Sequence, residues 1–195
     1  MSYATMWSYI WDMVDDGVKE VLGVLKNDLG LDAISLATSY HSVDHLRPHT
    51  KGKRIFVSYD ASLYFQPDEK LYKDTYIKPY VNPTVGSRNP LSEISDQCDK
   101  IGLNLISWTV CIHNTRMGRT YPQAAQRNVF GSLTDAKGFR FSDIYAAYPC
   151  PSNPAVQEYF KGLLKDLTYN YNMFARLTDA KGFRYAIEVE SLSFG

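Results

Sequence analysis

Residues 103–114 read Leu-Asn-Leu-Ile-Ser-Trp-Thr-Val-Cys-Ile-His-Asn, and this stretch decides the fold class. Its first part, Leu103 to Cys111, is a short apolar run typical of a buried strand. An amphipathic helix precedes it, since apolar residues recur every three or four positions before Gly102, at Leu91, Ile94, Cys98 and Ile101. The run continues into His113 and Asn114. An amphipathic helix, a buried strand and a polar strand end, in that order, indicate parallel α/β packing.

The same pattern recurs along the chain. Apolar positions between Trp7 and Leu29 repeat at helical spacing and predict one amphipathic helix. Asn153 and Pro154 are a good helix start, and apolar residues then repeat as far as Leu167. Three further strands are predicted, namely Ala33 to Ala37, Arg54 to Tyr59 and Tyr185 to Ser191. Residues 61–90 and 115–153 lack a period, which predicts long loops.

Two architectures suit this element order, a barrel and a doubly wound open sheet. No GxGxxG motif or P-loop follows any predicted strand, so the nucleotide-binding form of the open sheet lacks its signature. A (β/α)8 barrel needs about 250 residues. We therefore predict an α/β protein of the (β/α)8 TIM-barrel type, with residues 1–195 as a single domain that holds about the first four β/α units, the N-terminal half of a barrel.

Composition excludes several classes of partner. The formal net charge is zero and the basic residues are scattered, which argues against nucleic acid. No apolar run reaches the roughly 20 residues of a membrane helix. Asp12, Asp15 and Asp16 interrupt the apolar pattern near the N-terminus, so we expect a cytoplasmic protein without a signal peptide. Three cysteines without a CxxC pair predict reduced thiols, and we expect no cofactor.

One octapeptide occurs twice. Leu-Thr-Asp-Ala-Lys-Gly-Phe-Arg spans residues 133–140 and again residues 177–184. Asp-Ala-Lys-Gly is good turn chemistry, so each copy is predicted to form a surface loop. The repeat is too short for a solenoid unit. It is either part of the parent fold or an inserted element, and we assign it no function.

The candidate site lies where the predicted strands end, because active sites of parallel barrels are built at the C-terminal ends of strands. These ends supply polar or titratable residues, namely Tyr40, His41, Asp60, His113, Asn114, Glu188 and Glu190. A period of two places Glu188 and Glu190 on one strand face, directed into the barrel. Burial and mutual repulsion raise carboxyl pKa values, as a glycosidase general acid requires. Glu190, nearer the strand end, is the candidate acid or nucleophile, and Glu188 supports it.

Bland interpretations of these residues stay open. Both glutamates could lie on a solvated edge strand or form structural ion pairs. Asp60 could cap a helix or a turn, and His113 could stabilise a loop. His41, His45 and His49 would share a face on a continuous helix and could bind zinc there, but Pro48 and Gly52 argue against such a helix. Our prediction therefore includes no metal site. Cys111 near a strand end shows no sign of an activated thiolate.

Several segments together resemble a known family. MWSYIWDMVDDG, LATSYHSVDHLRPH, SWTVCIHNTRMG, NVFG, CPSNPAVQEYF and AIEVESLSF resemble bacterial TIM-barrel proteins described as glycosyl-hydrolase-like or α-amylase-like. The resemblance spans nearly the whole chain and implies a carbohydrate-active barrel with His41, His113, Asn114 and Glu190 in the active site. It also implies members about twice as long as this chain, whose second half supplies the other catalytic carboxylate. The two octapeptide copies depart from the family pattern.

The function we expect is that of a glycoside hydrolase, or of a fragment of one, that binds carbohydrate at the strand ends. The alternative is a non-catalytic half-barrel scaffold or carbohydrate-binding module that self-associates, with a homodimer completing the barrel. A half barrel exposes two strand edges and an apolar flank, which favours such pairing. A third hypothesis is a metal-dependent hydrolase built on His41, His45 and His49.

Overall fold

The computed structural model describes residues 3–50, 52, 54–131, 133, 147–178 and 184–186, with the backbone alone described from 174 onward. Its centre is a sheet of six strands: β1 Thr5–Tyr9, β2 Ala33–Tyr40, β5 Ser62–Leu63, β6 Asn104–Thr109, β7 Phe174–Thr178 and β8 Arg184–Ala186. β1, β2, β6 and β7 are neighbours in chain order, and each pair is parallel. β5 pairs antiparallel with β2, and β8 with β7. The predicted mixed α/β fold with a parallel sheet is confirmed.

The N-terminal segment differs from the predicted single helix. Thr5–Tyr9 is the first parallel strand, and the helix begins only at Ile10. Gly17, with φ of 95°, then divides the rest into α1 (Ile10–Asp16) and α2 (Val18–Gly23), which continues as a π-helical turn over Val24–Asp28. A residue other than glycine would be strained at this φ. The apolar spacing from Trp7 to Leu29 is helical throughout, so it reveals neither the strand at Thr5–Tyr9 nor the break at Gly17.

The predicted strand from Arg54 to Tyr59 exists, but it lies outside the parallel sheet. Ile55–Ser58 (β4) pairs antiparallel with Val43–Leu46 (β3) in a separate two-stranded sheet. This hairpin packs on α1, where the Phe56 ring stacks on Trp11 at 4.4 Å. Arg47, 1% exposed, donates to Asp12 at 3.0 Å and contacts Asp15 at 2.7 Å. The hairpin is thus fixed to α1 by both an aromatic and an ionic contact.

The C-terminal part contains a strand that sequence patterns missed. β7 directly follows the last helix, and it is the fourth parallel strand. The strand predicted from Tyr185 to Ser191 overlaps β8 only at Tyr185 and Ala186, and β8 runs antiparallel to β7. Residues 187–191 lie outside the described part. Most of the octapeptide copies at 133–140 and 177–184 lies outside it too, although the second copy begins in β7 and ends in β8.

The remaining helices cover one face of the sheet. α3 (Pro90–Ile101) ends at Gly102 in the left-handed conformation, as predicted. α4 (Thr115–Thr120) lies within the region predicted as a loop. α5 (Pro154–Tyr171) starts as predicted, because the Asn153 side chain accepts the Ala155 N–H and Pro154 occupies the first turn. Buried residues of these helices form one core with Ile34, Leu36 and Leu105 of the sheet.

A buried carboxylate holds the segment before α3 against α5. Asp166 is fully buried and accepts hydrogen bonds from the Asp68 amide at 2.9 Å, Tyr72 Oη at 3.3 Å and Asn170 Nδ2 at 2.8 Å. Burial raises its pKa, and the three hydrogen bonds oppose that rise. Gly162, one turn earlier, lets the Leu71 carbonyl approach the helix, since an added Cβ would lie 2.6 Å from that oxygen. The contact depends on a residue without a side chain.

Over the described ranges, no helix is both long enough and apolar enough to span a membrane.

Candidate functional site

Aromatic and histidine side chains cluster at the C-terminal ends of β1, β2 and β6 and in the residues that follow β2 and β6. Tyr9, Ala37 and Trp108 are register partners across these three strands. β1 and β6 lie on either side of β2 and are therefore about 9.6 Å apart. Rings on these two strands can meet only when the residue of β2 that lies between them is small. Ala37 provides that room, and the Tyr9 and Trp108 rings lie 5.5 Å apart. We call Tyr9, Tyr40, His41, Trp108 and His113 the strand-end cluster.

Tyr40 joins the members of the cluster. Its ring is 9% exposed and meets Trp108 edge-on at 5.1 Å. Its hydroxyl lies 3.3 Å from the Tyr9 hydroxyl. The His41 imidazole stacks on the same ring at 4.2 Å. These contacts hold two phenol groups and one imidazole on a single aromatic base.

Buried hydroxyl groups fix the strands beneath the cluster. Thr38 Oγ1 lies 2.7 Å from Ser107 Oγ and 3.1 Å from Thr109 Oγ1, and these two lie 2.8 Å from each other. All three residues are at most 1% exposed. Such a closed network links β2 to β6 and limits their relative movement. The side chains at the strand ends therefore have a rigid support.

The electrostatic setting of His41 favours the neutral imidazole. Burial lowers its pKa most, and the nearby His113 lowers it further, while a hydrogen bond with the Ser42 carbonyl opposes both effects. Because a carbonyl can only accept, Nδ1 carries the proton in this contact. The neutral ring then presents Nε2 as an acceptor. At neutral pH, His41 is thus suited to hydrogen bonding with a hydroxyl rather than to ion pairing.

His113 extends the cluster towards the segment before α5. Its ring centroid lies 6.0 Å from that of His41 and 5.5 Å from that of Tyr148, on which it stacks. Two histidines from neighbouring parallel strands therefore border the same region. Of the residues predicted at the strand ends, the structure brings Tyr40, His41 and His113 close to one another.

Asp60 and Asn114 belong to a second group. Asp60 Oδ2 accepts from Arg116 Nη1 at 2.9 Å, and the Arg116 guanidinium stacks 3.6 Å over the Tyr80 ring. Asn114 Oδ1 caps α4 by accepting the Met117 amide at 2.8 Å. Both residues order the loop around α4, Asp60 through an ion pair and Asn114 as a helix cap.

The remaining candidates are the two glutamates and the proposed histidine metal site. Glu188 and Glu190 lie outside the described residues. His45 belongs to a β-strand rather than to a helix, so His41, His45 and His49 do not share a helical face. In the described part of the chain, no group of three or more His, Cys, Asp or Glu side chains could hold a metal ion.

The three cysteines are free thiols. Burial raises the pKa of Cys98 to about 12, with Asp99 adding to the rise, and burial alone raises the pKa of Cys111 to about 12. A thiol protonated in this way is a poor nucleophile at neutral pH. The structure therefore gives no support to a thiol mechanism at Cys111.

Sequence patterns missed two members of the cluster. The helical period from Trp7 to Trp11 predicts a helix at Tyr9, where the structure has the end of a strand. Trp108 falls inside the predicted strand and is not among the candidate residues, although alternation with Ile106 places both on one strand face. That alternation, together with the position of Trp108 one residue before the end of β6, is the sequence signal that could have placed Trp108 at the site.

Solved structures share this fold over most of the chain. A hypothetical protein from Ruminiclostridium thermocellum gives a TM-score of 0.53 at 13% identity, over 83% of this chain and 70% of that protein. A noncanonic maltogenic alpha-amylase from Thermotoga neapolitana gives 0.55 at 12% identity, over 89% of this chain and 38% of the enzyme. An alpha-amylase from Lactobacillus plantarum gives 0.52 at 16% identity, over 87% of this chain and 36% of the enzyme.

These likenesses show the fold alone, because the identities are low. No protein-family model matches the chain, and the search of curated proteins found no match. This chain spans well under half the length of either amylase. The chain therefore has a mixed α/β fold, with a parallel sheet, that is similar to part of α-amylase structures.

Proposed function

We propose that the chain is part of a (β/α)8 glycoside hydrolase and binds carbohydrate at the C-terminal ends of its parallel strands. The order of β1, β2, β6 and β7 supports a barrel, because the sheet grows in one direction without the reversal of a doubly wound sheet. The likeness in fold to two amylases agrees with this proposal.

The observation on which the proposal depends is the strand-end cluster. A sugar ring combines apolar C–H faces with hydroxyl groups at its edge, so its binding site needs aromatic faces beside polar atoms. Tyr9, Tyr40 and Trp108 supply aromatic rings, and His41 and His113 supply imidazole nitrogens beside them. The neutral state of His41 suits it to accept a hydrogen bond from a sugar hydroxyl.

The proposed chemistry is hydrolysis by a pair of carboxyl groups. Glu190 acts as the acid or the nucleophile, and Glu188 supports it. Carboxyl groups about 5–5.5 Å apart give retention of configuration, and groups about 6.5–9.5 Å apart give inversion. A second carboxylate from outside this chain would complete the pair, as the family resemblance implies.

Two assays test the proposal. Hydrolysis of a panel of nitrophenyl glycosides measures activity, and quenching of tryptophan fluorescence by oligosaccharides measures binding near Trp108. Where the original chain turns over a glycoside, Glu190→Gln should abolish that turnover while sugar binding persists, and His113→Gln should weaken binding. Glu69→Gln and His49→Gln are matched controls, because both side chains are exposed, and neither should change either signal.

Binding without turnover would retain the carbohydrate site and remove the enzymatic step. Neither binding nor turnover with any glycoside would refute the proposal. Activity that survives in Glu190→Gln would refute the role of that residue.

A specific observation favours the alternative of self-association. Trp7 is 63% exposed and stacks on Trp108 at 5.1 Å, on the sheet face opposite Ile34 and Leu36. An exposed indole on an open sheet face favours pairing with a second copy that completes the barrel. Light scattering over a concentration series tests this. If Trp7 lies in the dimer interface, a Trp7→Ser variant should be monomeric at protein concentrations at which the original chain is still a dimer.

A further inference from the structure

The ring of Tyr148 lies against one of the two histidines of the strand-end cluster. Its centroid is 5.5 Å from that of His113, and the two ring planes are 28° apart, which is a stacked arrangement. His41 has the same kind of support, because the Tyr40 ring stacks on it at 4.2 Å. The two imidazoles meet at 6.0 Å with their planes at 62°. Each histidine of the cluster is therefore backed by a tyrosine.

Helix α4 brings the chain around Ala147 next to His113. The helix starts directly after Asn114, whose side chain caps it, so His113 lies just outside its first turn. Further along the helix, Gly118 contacts the Ala147 carbonyl so closely that an added Cβ would lie 1.4 Å from the carbonyl oxygen. A side chain at position 118 would displace this segment. Tyr148, the next residue along the chain, is thereby held near the beginning of α4.

Ala147 has a backbone conformation that alanine rarely adopts. Its φ is 61°, in the left-handed region, and the residue is 3% exposed. A residue with a Cβ keeps this conformation only where its surroundings impose it, and such positions are concentrated at functional sites. The Gln126 amide donates to the Tyr148 carbonyl at 2.8 Å, which fixes the segment on the side away from α4. The strained residue therefore determines where the Tyr148 ring is directed.

We propose that Tyr148 is a positioning residue of the carbohydrate site, and that its ring holds the His113 imidazole in the orientation that meets His41. This role rests on the function proposed above, in which His113 binds sugar. A half-buried imidazole has several rotamers available, and contact with an aromatic ring favours one of them. A sugar then meets two imidazoles whose separation is already set, and such pre-organisation reduces the entropy lost on binding.

Imidazole NMR titration tests the positioning without a ligand. Burial lowers the pKa of His41 most, and the proximity of His113 lowers it further. Tyr148→Ala removes the ring, so His113 should leave its place and the pKa of His41 should rise. Tyr148→Phe keeps the ring and should leave that pKa as it is in the original chain. The matched control is Tyr76→Ala, because the Tyr76 ring also lies against a neighbour, 5.7 Å from Tyr121, but outside the strand-end cluster.

A second background separates an effect through His113 from a direct effect on His41. In a His113→Gln chain, the further change Tyr148→Ala should leave the pKa of His41 where His113→Gln alone has placed it. A rise of the same size in both backgrounds would show that Tyr148 acts on His41 without His113, and would overturn the proposal.

Oligosaccharide binding measures the consequence at the site. An aromatic pair favours its stacked arrangement by about two- to tenfold, so the fraction of chains with His113 in place should fall by that factor in Tyr148→Ala. Sugar affinity should weaken by up to about tenfold, because the apparent affinity scales with that fraction. Tyr148→Phe should retain the original affinity, and Tyr76→Ala should bind as the original chain does.

Two further results would overturn the positioning role. An unchanged pKa of His41 in Tyr148→Ala would show that His113 keeps its place without the ring. Equal loss of affinity in Tyr148→Ala and Tyr148→Phe would show that the hydroxyl, and not the stacked ring, acts at the site. If the original chain binds no sugar, the function proposed above fails, and the titration of His41 alone still decides whether Tyr148 positions His113.

Discussion

Replacing Gly162 by alanine tests the close approach between α5 and the segment that holds Leu71. In an exposed helix, alanine is more favourable than glycine by about 0.8–1.0 kcal/mol. At position 162, however, the new Cβ would lie 2.6 Å from the Leu71 carbonyl oxygen and 3.1 Å from Tyr72 Cδ1. Cβ atoms in proteins essentially never approach a heavy atom to less than 3.0 Å, so the Leu71 backbone must move.

Gly23 provides the control for this variant. It is also helical, with φ of −60° and ψ of −47°, and nothing lies within 4 Å of its added Cβ. Gly23→Ala should therefore raise the free energy of unfolding by about 0.5–1 kcal/mol. The helix-propensity gain is common to both variants, so the difference between them measures the clash, which overpacking data place at about 1–3 kcal/mol.

Urea denaturation of the original chain and both variants measures these free energies. We expect Gly162→Ala to be the less stable of the two variants by about 1–3 kcal/mol. Equal stabilisation of both variants would show that Leu71 does not press against the helix. The same result would remove the argument that Asp166 reaches Asp68 and Tyr72 because Gly162 admits their backbone.

Three further outcomes are expected. Because burial raises the pKa of Asp166, its ionisation opposes folding; its contribution to stability is complete below the ordinary pKa of 3.8 and is lost as pH rises through the raised pKa. In urea titrations at several pH values, Asp166→Asn should therefore gain stability relative to the original chain as pH increases. The opposite trend would contradict the direction of this pKa shift. His113→Gln should raise the pKa of His41, since the charge of His113 lowers it, and imidazole NMR titration would show an unchanged value if the two rings were not coupled. Arg47→Ala should lower the free energy of unfolding by about 2–4 kcal/mol, because two aspartates of α1 lose a buried partner; a thermal melt beside the exposed control Arg54→Ala measures the loss, and equal melting temperatures would contradict it.

The elements predicted correctly are those whose local signals agree with the surrounding packing. α5 has a capping Asn153, a Pro154 and a sustained apolar period, and the structure begins the helix there. α3 similarly ends at Gly102, where the left-handed conformation requires glycine. β2 and β6 are apolar runs that begin shortly after Gly30 and Gly102 and end in polar residues. Fold class could therefore be predicted from local chemistry.

The errors arose where the pattern was ambiguous or pairing was non-local. Trp7 and Trp11 are four residues apart, which satisfies a helical period although a strand ends between them. Ile55–Ser58 has the composition of a strand, but composition does not specify whether its partner is β2 or β3. The candidate site was predictable in part for the same reason. His41 and His113 follow strands in the sequence, whereas Tyr9 meets Trp108 only because Ala37 lies between them in the folded sheet.

The chemistry of the three thiols has a practical consequence for labelling. Burial raises the pKa of the Cys98 and Cys111 thiols, although Cys111, like Cys150, is partly exposed. We expect a maleimide dye added at neutral pH to modify the folded chain chiefly at Cys150, and all three positions after denaturation. The unaltered sequence thus offers one attachment point for a fluorophore or spin label, two residues along the chain from Tyr148, whose ring stacks on one of the histidines that are proposed to bind sugar.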